Sequence, residues 1–228
     1  MRGRGKDWDG EARTVTELVL ARHPGARSLL DVACGTGVHL ATFGELFDEI
    51  EGLELSGPMR ERAGRRLPGV PLHAADLRWF DLGRTYDAIT CLCFSVANST
   101  TVAELESAIG SMGRHLVPGG VIVLEPWWFP ERFLEGYVDG HVVRDGDRVI
   151  SRLTHSTEKD GCTLMTVRYT IAEPEGITDF TEIEMAGLFT RDEYETAFER
   201  AGCAVEYLPD APNGRGLFVG TKLTASPR

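Results

Sequence analysis

Hydrophobic and polar positions follow two rhythms along this chain. In the first, short apolar runs alternate with segments of helical period. Ala12, Val15, Leu18 and Val19 recur at three- and four-residue spacing within Glu11 to Arg22, which predicts a helix ended by Pro24-Gly25. Ser28 to Ala33 is an apolar run of strand length, Gly37 to Phe47 is helical, and Ile50 to Leu55 is a second strand. Ser56 offers an N-cap, with Pro58 early in a helix that runs to about Arg66. Val70 to Ala74 and Tyr86 to Phe94 predict strands three and four. Thr101 to Leu116 predicts a helix stopped by Pro118-Gly119-Gly120, and Val121 to Glu125 a fifth strand. Strands separated by helix-length segments imply right-handed crossovers and a mostly parallel sheet.

From about Trp127 to Leu188 the period changes to two, as in Val149 to Thr154 and Thr163 to Ile171. Turn residues at Lys159-Asp160-Gly161 and Glu173-Pro174-Glu175-Gly176 separate these stretches. The helical period then returns. Thr190-x-x-Glu193 forms a capping-box pattern, Gly202 is placed to end the helix, and two strands near Ala204 to Leu208 and Gly216 to Thr221 follow. The expected fold is α/β: a doubly wound, mostly parallel seven-stranded sheet with an antiparallel sheet inserted after strand 5. Residues 1–126 and 189–228 would form the α/β core and 127–188 the insertion.

Composition narrows the function classes. The 228 residues carry 24 Lys+Arg against 35 Asp+Glu, a formal charge of −11, which argues against a broad phosphate-tracking surface and so against nucleic acid. No apolar run approaches the roughly 18 residues of a membrane span, and the charged start lacks the apolar stretch of a secretory signal. Five cysteines with no CxxC pairing predict free thiols in a reducing, cytoplasmic setting. Cys91 and Cys93 would share one strand face, but no ligand partner lies at metal spacing, so no metal site is expected.

Chemistry concentrates at the predicted strand ends. Asp31-Val-Ala33-Cys-Gly35-Thr-Gly37 lies where the first strand turns into a helix, the place where open α/β sheets bind ligands. The dinucleotide fingerprint fails here, because its third small position is occupied by Leu40. Glu54 ends the second strand 23 residues after Asp31, near the spacing at which a carboxylate accepts ribose hydroxyls. Asp76 follows the third strand, where it could accept from an exocyclic purine amine. Each acid alone reads equally as a cap or a turn residue; in register they suit adenosine without a pyrophosphate.

This set resembles the S-adenosylmethionine site of class I methyltransferases, whose fold is Rossmann-like. The resemblance implies that the methionine part lies near Asp31, Ala33, Gly35 and Gly37, and the ribose at Glu54 and Leu55. It places the adenine edge near Asp76 and Leu77, with Met59 and Leu92 walling the pocket or serving as core. Further segments sharpen it: Gly3-Arg-Gly-Lys-Asp7-Trp8, Glu125-Pro-Trp127-Trp128-Phe-Pro130, Thr154-His155-Ser156 and Gly214-Arg215-Gly216-Leu217-Phe218 are similar to the N,N-dimethyltransferases of dTDP-3-aminosugars in antibiotic biosynthesis. The implied activity is double methylation of the sugar amine. Asn98 stands where the family often carries His; it would orient the amine without acting as a base, or simply cap a turn. Arg215 matches the family's phosphate-contacting arginine, with Arg152 and His155 expected to assist from one strand. Of Trp127 and Trp128, one is expected in the core and the other against sugar or base. His39 and His73 read as structural, and the inserted sheet as a candidate homodimer surface. The resemblance also implies a tyrosine-bearing helix ahead of Gly3. Met1 falls inside that region, so either the assigned start lies too late or the site works open without its lid, and this chain alone is expected to bind S-adenosylmethionine weakly and turn over slowly. Two rivals remain: an O-methyltransferase, which needs a base or a metal, and a cofactor-binding scaffold without turnover.

Overall fold

The computed structural model describes residues 6–211 and 214–224. Its elements in chain order begin with α1 (Trp8–Arg22), β1 (Ser28–Val32), α2 (Val38–Phe43), β2 (Glu49–Leu53), α3 (Gly57–Arg66) and β3 (Leu72–His73). Then come β4 (Tyr86–Cys91), α4 (Val102–Arg114), β5 (Leu116–Leu124) and four long strands: β6 (Tyr137–Asp145), β7 (Arg148–Lys159), β8 (Cys162–Glu173) and β9 (Gly176–Gly187). The series closes with α5 (Arg191–Arg200), β10 (Cys203–Leu208) and β11 (Leu217–Lys222). Seven strands form one sheet in the order β3-β2-β1-β4-β5-β11-β10, in which β11 alone runs opposite to the other six. β6 to β9 form a separate antiparallel sheet. No helix among the described residues is long and apolar enough to cross a membrane.

Local chemistry sets the boundaries. Ser56 and Thr101 accept the backbone N–H of Met59 and Glu104, and Thr190 with Glu193 completes both halves of its capping box. Leu105, Ile109 and Phe198 from α4 and α5 cover one face of the main sheet, and Val15, Val19 and Phe43 from α1 and α2 cover the other.

Four boundaries differ from expectation, beginning with α2, which ends at Phe43 rather than Phe47. β3 is only two residues long. Pro118-Gly119-Gly120 lies inside β5 rather than before it, and the register against β4 shifts there. The fourth strand stops at Cys91, because Cys93 and Phe94 both adopt left-handed backbone, with φ of 53° and 51°. The two thiols therefore do not share a strand face.

The inserted sheet is docked firmly on the core. Trp127 Nε1 donates to Thr163 Oγ1 at 2.9 Å, and Cys162 Sγ lies 3.5 Å from Thr100 O. Gly187, ending β9, passes so close that a Cβ there would sit 2.4 Å from Ser99 O.

Candidate active site at the ends of β1, β2 and β4

The strand order reverses between β1 and β4, and a cleft of about 770 Å³ opens beyond their carboxyl ends. Asp31, Ala33, Gly35, Glu54, Leu55, Met59, Asp76, Leu77, Leu92 and Asn98 all line it. Gly37 does not. Its φ of 71° starts α2, and a Cβ there would meet the Leu67 and Ala63 side chains at 3.1 and 3.3 Å, so it shapes the loop from behind.

The three acids are prepared in different ways. Glu54 receives Gly35 N–H on one oxygen at 2.9 Å and Ser56 N–H on the other at 2.7 Å, so the carboxylate is fixed while each oxygen keeps a lone pair for a further donor. Asp76 is less open than expected. The Arg78 guanidinium grips both its oxygens, at 2.9 and 2.7 Å, holds its carboxyl below the usual range, and also reaches Glu104 at 2.7 Å. Asp31 is 3% exposed and, among the described residues, accepts only Thr90 Oγ1, at 2.7 Å. Burial pushes its carboxyl up to about 6, with the nearby Glu54 adding to the rise and His39 and Thr90 opposing it.

His39, expected to be structural, lines the cleft as well. It bonds Glu11 at 3.0 Å and meets the Trp8 ring edge-on at 5.0 Å. Lys6 joins this wall through Glu11 at 3.1 Å and Cys93 Sγ at 3.4 Å, whereas Gly3 to Gly5 lie outside the described residues. Trp8 Nε1 is buried without a hydrogen-bond partner among the described residues, an open donor at the cleft wall.

A second cleft, of about 780 Å³, lies between the main and inserted sheets. Trp127, Trp128, Arg152 and Arg215 line it, joined by Arg132, Tyr137, Asp139 and Glu184, which the sequence reading missed. Both tryptophans face this cleft; the aromatic of that segment committed to the core is Phe129, 5% exposed. Thr154 also lines it, with a buried hydroxyl that has no hydrogen-bond partner among the described residues. His155 lines neither cleft. Arg152, Thr154 and Ser156 share one face of β7, and His155, three residues from Arg152, stands on the other. Arg215 is not the free cation expected. It forms an ion pair with Glu125, itself 2% exposed, and lies over Phe94, Trp127 and Trp128. Arg132 and Arg152 have no ion pair among the described residues.

The clefts meet at the turn after β4. Cys93 lines the first, Phe94 the second, and a side cavity of about 420 Å³ borders both residues. Cys93 N donates to Glu125 Oε2 at 2.8 Å, which captures the left-handed pair and explains why the strand ends early. Asn98 ends the short 3₁₀ turn Ser95–Asn98 and donates Nδ2 to Ser95 O at 2.9 Å. Asn98 thus closes its own turn while lining the first cleft, and the cap of the following helix is Thr101.

Asp31 gives a direct test. An acid whose folded value is raised contributes stability below its ordinary 3.8 that is lost as pH rises through about 6. Asp31→Asn should therefore raise the ligand-free stability at pH 7 by about 1–3 kcal/mol in urea titration, and little at pH 4. The same substitution should cost at least about tenfold in affinity for a cationic ligand such as S-adenosylmethionine, measured by calorimetry. Unchanged stability at pH 7 together with unchanged affinity would contradict this account of the carboxylate.

Comparisons with known proteins agree with the geometry. Residues 29–120 match the family described as "Methyltransferase domain". The dTDP-4-amino-2,3,4,6-tetradeoxy-D-glucose N,N-dimethyltransferase of Saccharopolyspora spinosa is 58% identical, over 96% of this chain and 88% of that one. The dTDP-3-amino-3,4,6-trideoxy-alpha-D-glucopyranose N,N-dimethyltransferase of Streptomyces venezuelae is 48% identical, over 96% and 92%. The solved structure of CalS10 with bound S-adenosylmethionine, an amino pentose methyltransferase from Micromonospora echinaspora involved in calicheamicin biosynthesis, superposes with a TM-score of 0.91 at 50% identity, over 97% of this chain and 94% of that one. A fold with its cleft at the β1–β4 switch point, and relatives matched over most of their length, place this chain in the dTDP-aminosugar N,N-dimethyltransferase family of class I S-adenosylmethionine-dependent methyltransferases.

Proposed function

We propose that this protein transfers two methyl groups in succession from S-adenosylmethionine to the amino nitrogen of a dTDP-linked amino-deoxysugar used in antibiotic biosynthesis. The observation that carries the reading is the meeting of an acid-lined cleft with an arginine- and tryptophan-lined cleft at the Cys93–Asn98 turn. Residues 1–126 and 189–228 would hold the cofactor, and 127–188 most of the sugar nucleotide.

The residues of the first cleft fit the cofactor. Asp31, a buried carboxylate with no cationic partner in hydrogen-bond contact, suits the ammonium of the methionine part. Glu54, with both oxygens held in place, suits the ribose hydroxyls. Asp76 and Leu77 suit the adenine edge, while Leu55, Met59 and Leu92 wall the site and Ala33 and Gly35 bring backbone close to it. When bound, the cofactor supplies a methyl group activated on a sulfonium.

In the second cleft, Arg152 and Arg132 are free to grip a diphosphate, and Arg215 supports them while paired with Glu125. Trp127 or Trp128 offers a flat face to the thymine or the sugar. Asn98 spends Nδ2 on Ser95 O, which leaves Oδ1 to accept from the substrate amine. Positioning in line does most of the work of such a displacement. Incubation with labelled S-adenosylmethionine and dTDP-3-amino and dTDP-4-amino deoxysugars, read by mass spectrometry, should show gain of one and then two methyl groups on nitrogen. Methyl gain on a hydroxyl, or binding without turnover, would overturn the proposal.

The outer face of the inserted sheet supports a homodimer. Val138, Val142, Leu153 and Ile183 lie on the face opposite the cleft and are 58–69% exposed. A row of apolar side chains this open on one sheet face suits burial against a second copy. Light scattering should give twice the chain mass for the wild type and the single mass for Leu153→Lys. A monomeric wild type at micromolar concentration would contradict the dimer.

A further inference from the structure

Glu184 lies on β9, paired in register with Met165 of β8. Both line the arginine-bearing cleft, and both line the side cavity whose opposite wall includes Cys93 and Asn98. Cys93 and Asn98 in turn line the cofactor cleft. Among the described residues, Glu184 is the one carboxylate that borders both the second cleft and this passage. Its side chain has no hydrogen bond or ion pair among them. Its strand is held in place: Gly187 abuts the Ser99 carbonyl, and Cys162 on the neighbouring strand reaches Thr100 O.

The proposed reaction supplies a task for an unpaired carboxylate here. A sugar amine arrives largely as an ammonium at neutral pH and must release one proton to water before its lone pair is available. That lone pair forms the N–C bond as the methyl's bond to sulfur breaks, and the positive charge passes from sulfur to nitrogen. The new ammonium then sheds its surplus proton to water, and the cycle repeats for the second methyl. Charge on nitrogen grows during the bond exchange, so an anion facing the nitrogen binds the transition state more strongly than the neutral amine. Asn98 can accept from the amine but carries no charge to supply this.

We propose that Glu184 is a catalytic carboxylate that receives the substrate's amine at the junction of the two clefts and stabilises the charge developing on its nitrogen. This rests on the aminosugar reading above. The test compares wild type, Glu184→Gln and Glu184→Asp in the full chain, with S-adenosylhomocysteine present, by calorimetry against a dTDP-aminosugar and its analogue with hydroxyl in place of the amine. Glu184→Gln should weaken binding of the amine by roughly 10- to 100-fold while leaving the hydroxyl analogue within about twofold. Methyl transfer in a single turnover should fall by at least the same factor, Glu184→Asp should recover part of both, and the unfolding temperature should not move. Unchanged amine affinity and rate in Glu184→Gln, or equal weakening of both ligands, would overturn the assignment. A wild type that methylates no dTDP-aminosugar would instead overturn the function on which it rests.

Discussion

The buried Glu125 carboxylate holds the two halves of this protein's chemistry together. One oxygen accepts Cys93 N–H at 2.8 Å and the other accepts the Arg215 guanidinium. The first contact fixes a left-handed Cys93–Phe94 pair, conformations that ordinarily cost of order 1–3 kcal/mol each. The second seats an arginine among Phe94, Trp127 and Trp128. A carboxylate this buried is tolerated only because both oxygens are satisfied, and removing one partner of such a pair typically costs about 3–5 kcal/mol. Glu125 directly follows the fifth strand of the main sheet and opens the segment that leads to the inserted one, so a single side chain sets where the two clefts meet.

The acids of the cofactor cleft follow a different logic. Glu54 is oriented by two backbone donors and Asp76 by a guanidinium fork, so both are organised without a ligand. Asp31 is left with one hydroxyl donor and a raised ionisation point. The ligand-free protein thus keeps an undercompensated charge that a cation relieves, which converts lost stability into binding.

Much of this was legible in the sequence, for physical reasons. Parallel strands buried on both faces read as apolar runs, and Ser56, Thr101 and Thr190 cap helices where their hydroxyls say they should. Acids at successive strand ends fall in one cleft because the topology brings those ends together. Contacts between distant segments were not legible. Nothing local to Tyr86–Phe94 says that Glu125 will capture Cys93 N–H and end the strand. Nothing near Arg215 announces Glu125, and nothing near Asp76 except Arg78, two residues on, warned that its oxygens were taken. His155 is a different case: three residues from Arg152 on a strand means opposite faces, a period-two rule that applies without coordinates. Glu184 carries no local signal, since an exposed acid on an antiparallel strand looks like any solvated charge.

The proposed function requires methyl transfer at the Cys93–Asn98 turn, where the two clefts join. A crystal structure of the chain with S-adenosylhomocysteine and a dTDP-aminosugar tests it most directly. The sugar nitrogen should lie beside Asn98, facing the cofactor sulfur at roughly 4 Å, close enough for one methyl group to pass in line. A sugar nitrogen held elsewhere in the second cleft, with the turn between it and the sulfur, would contradict it.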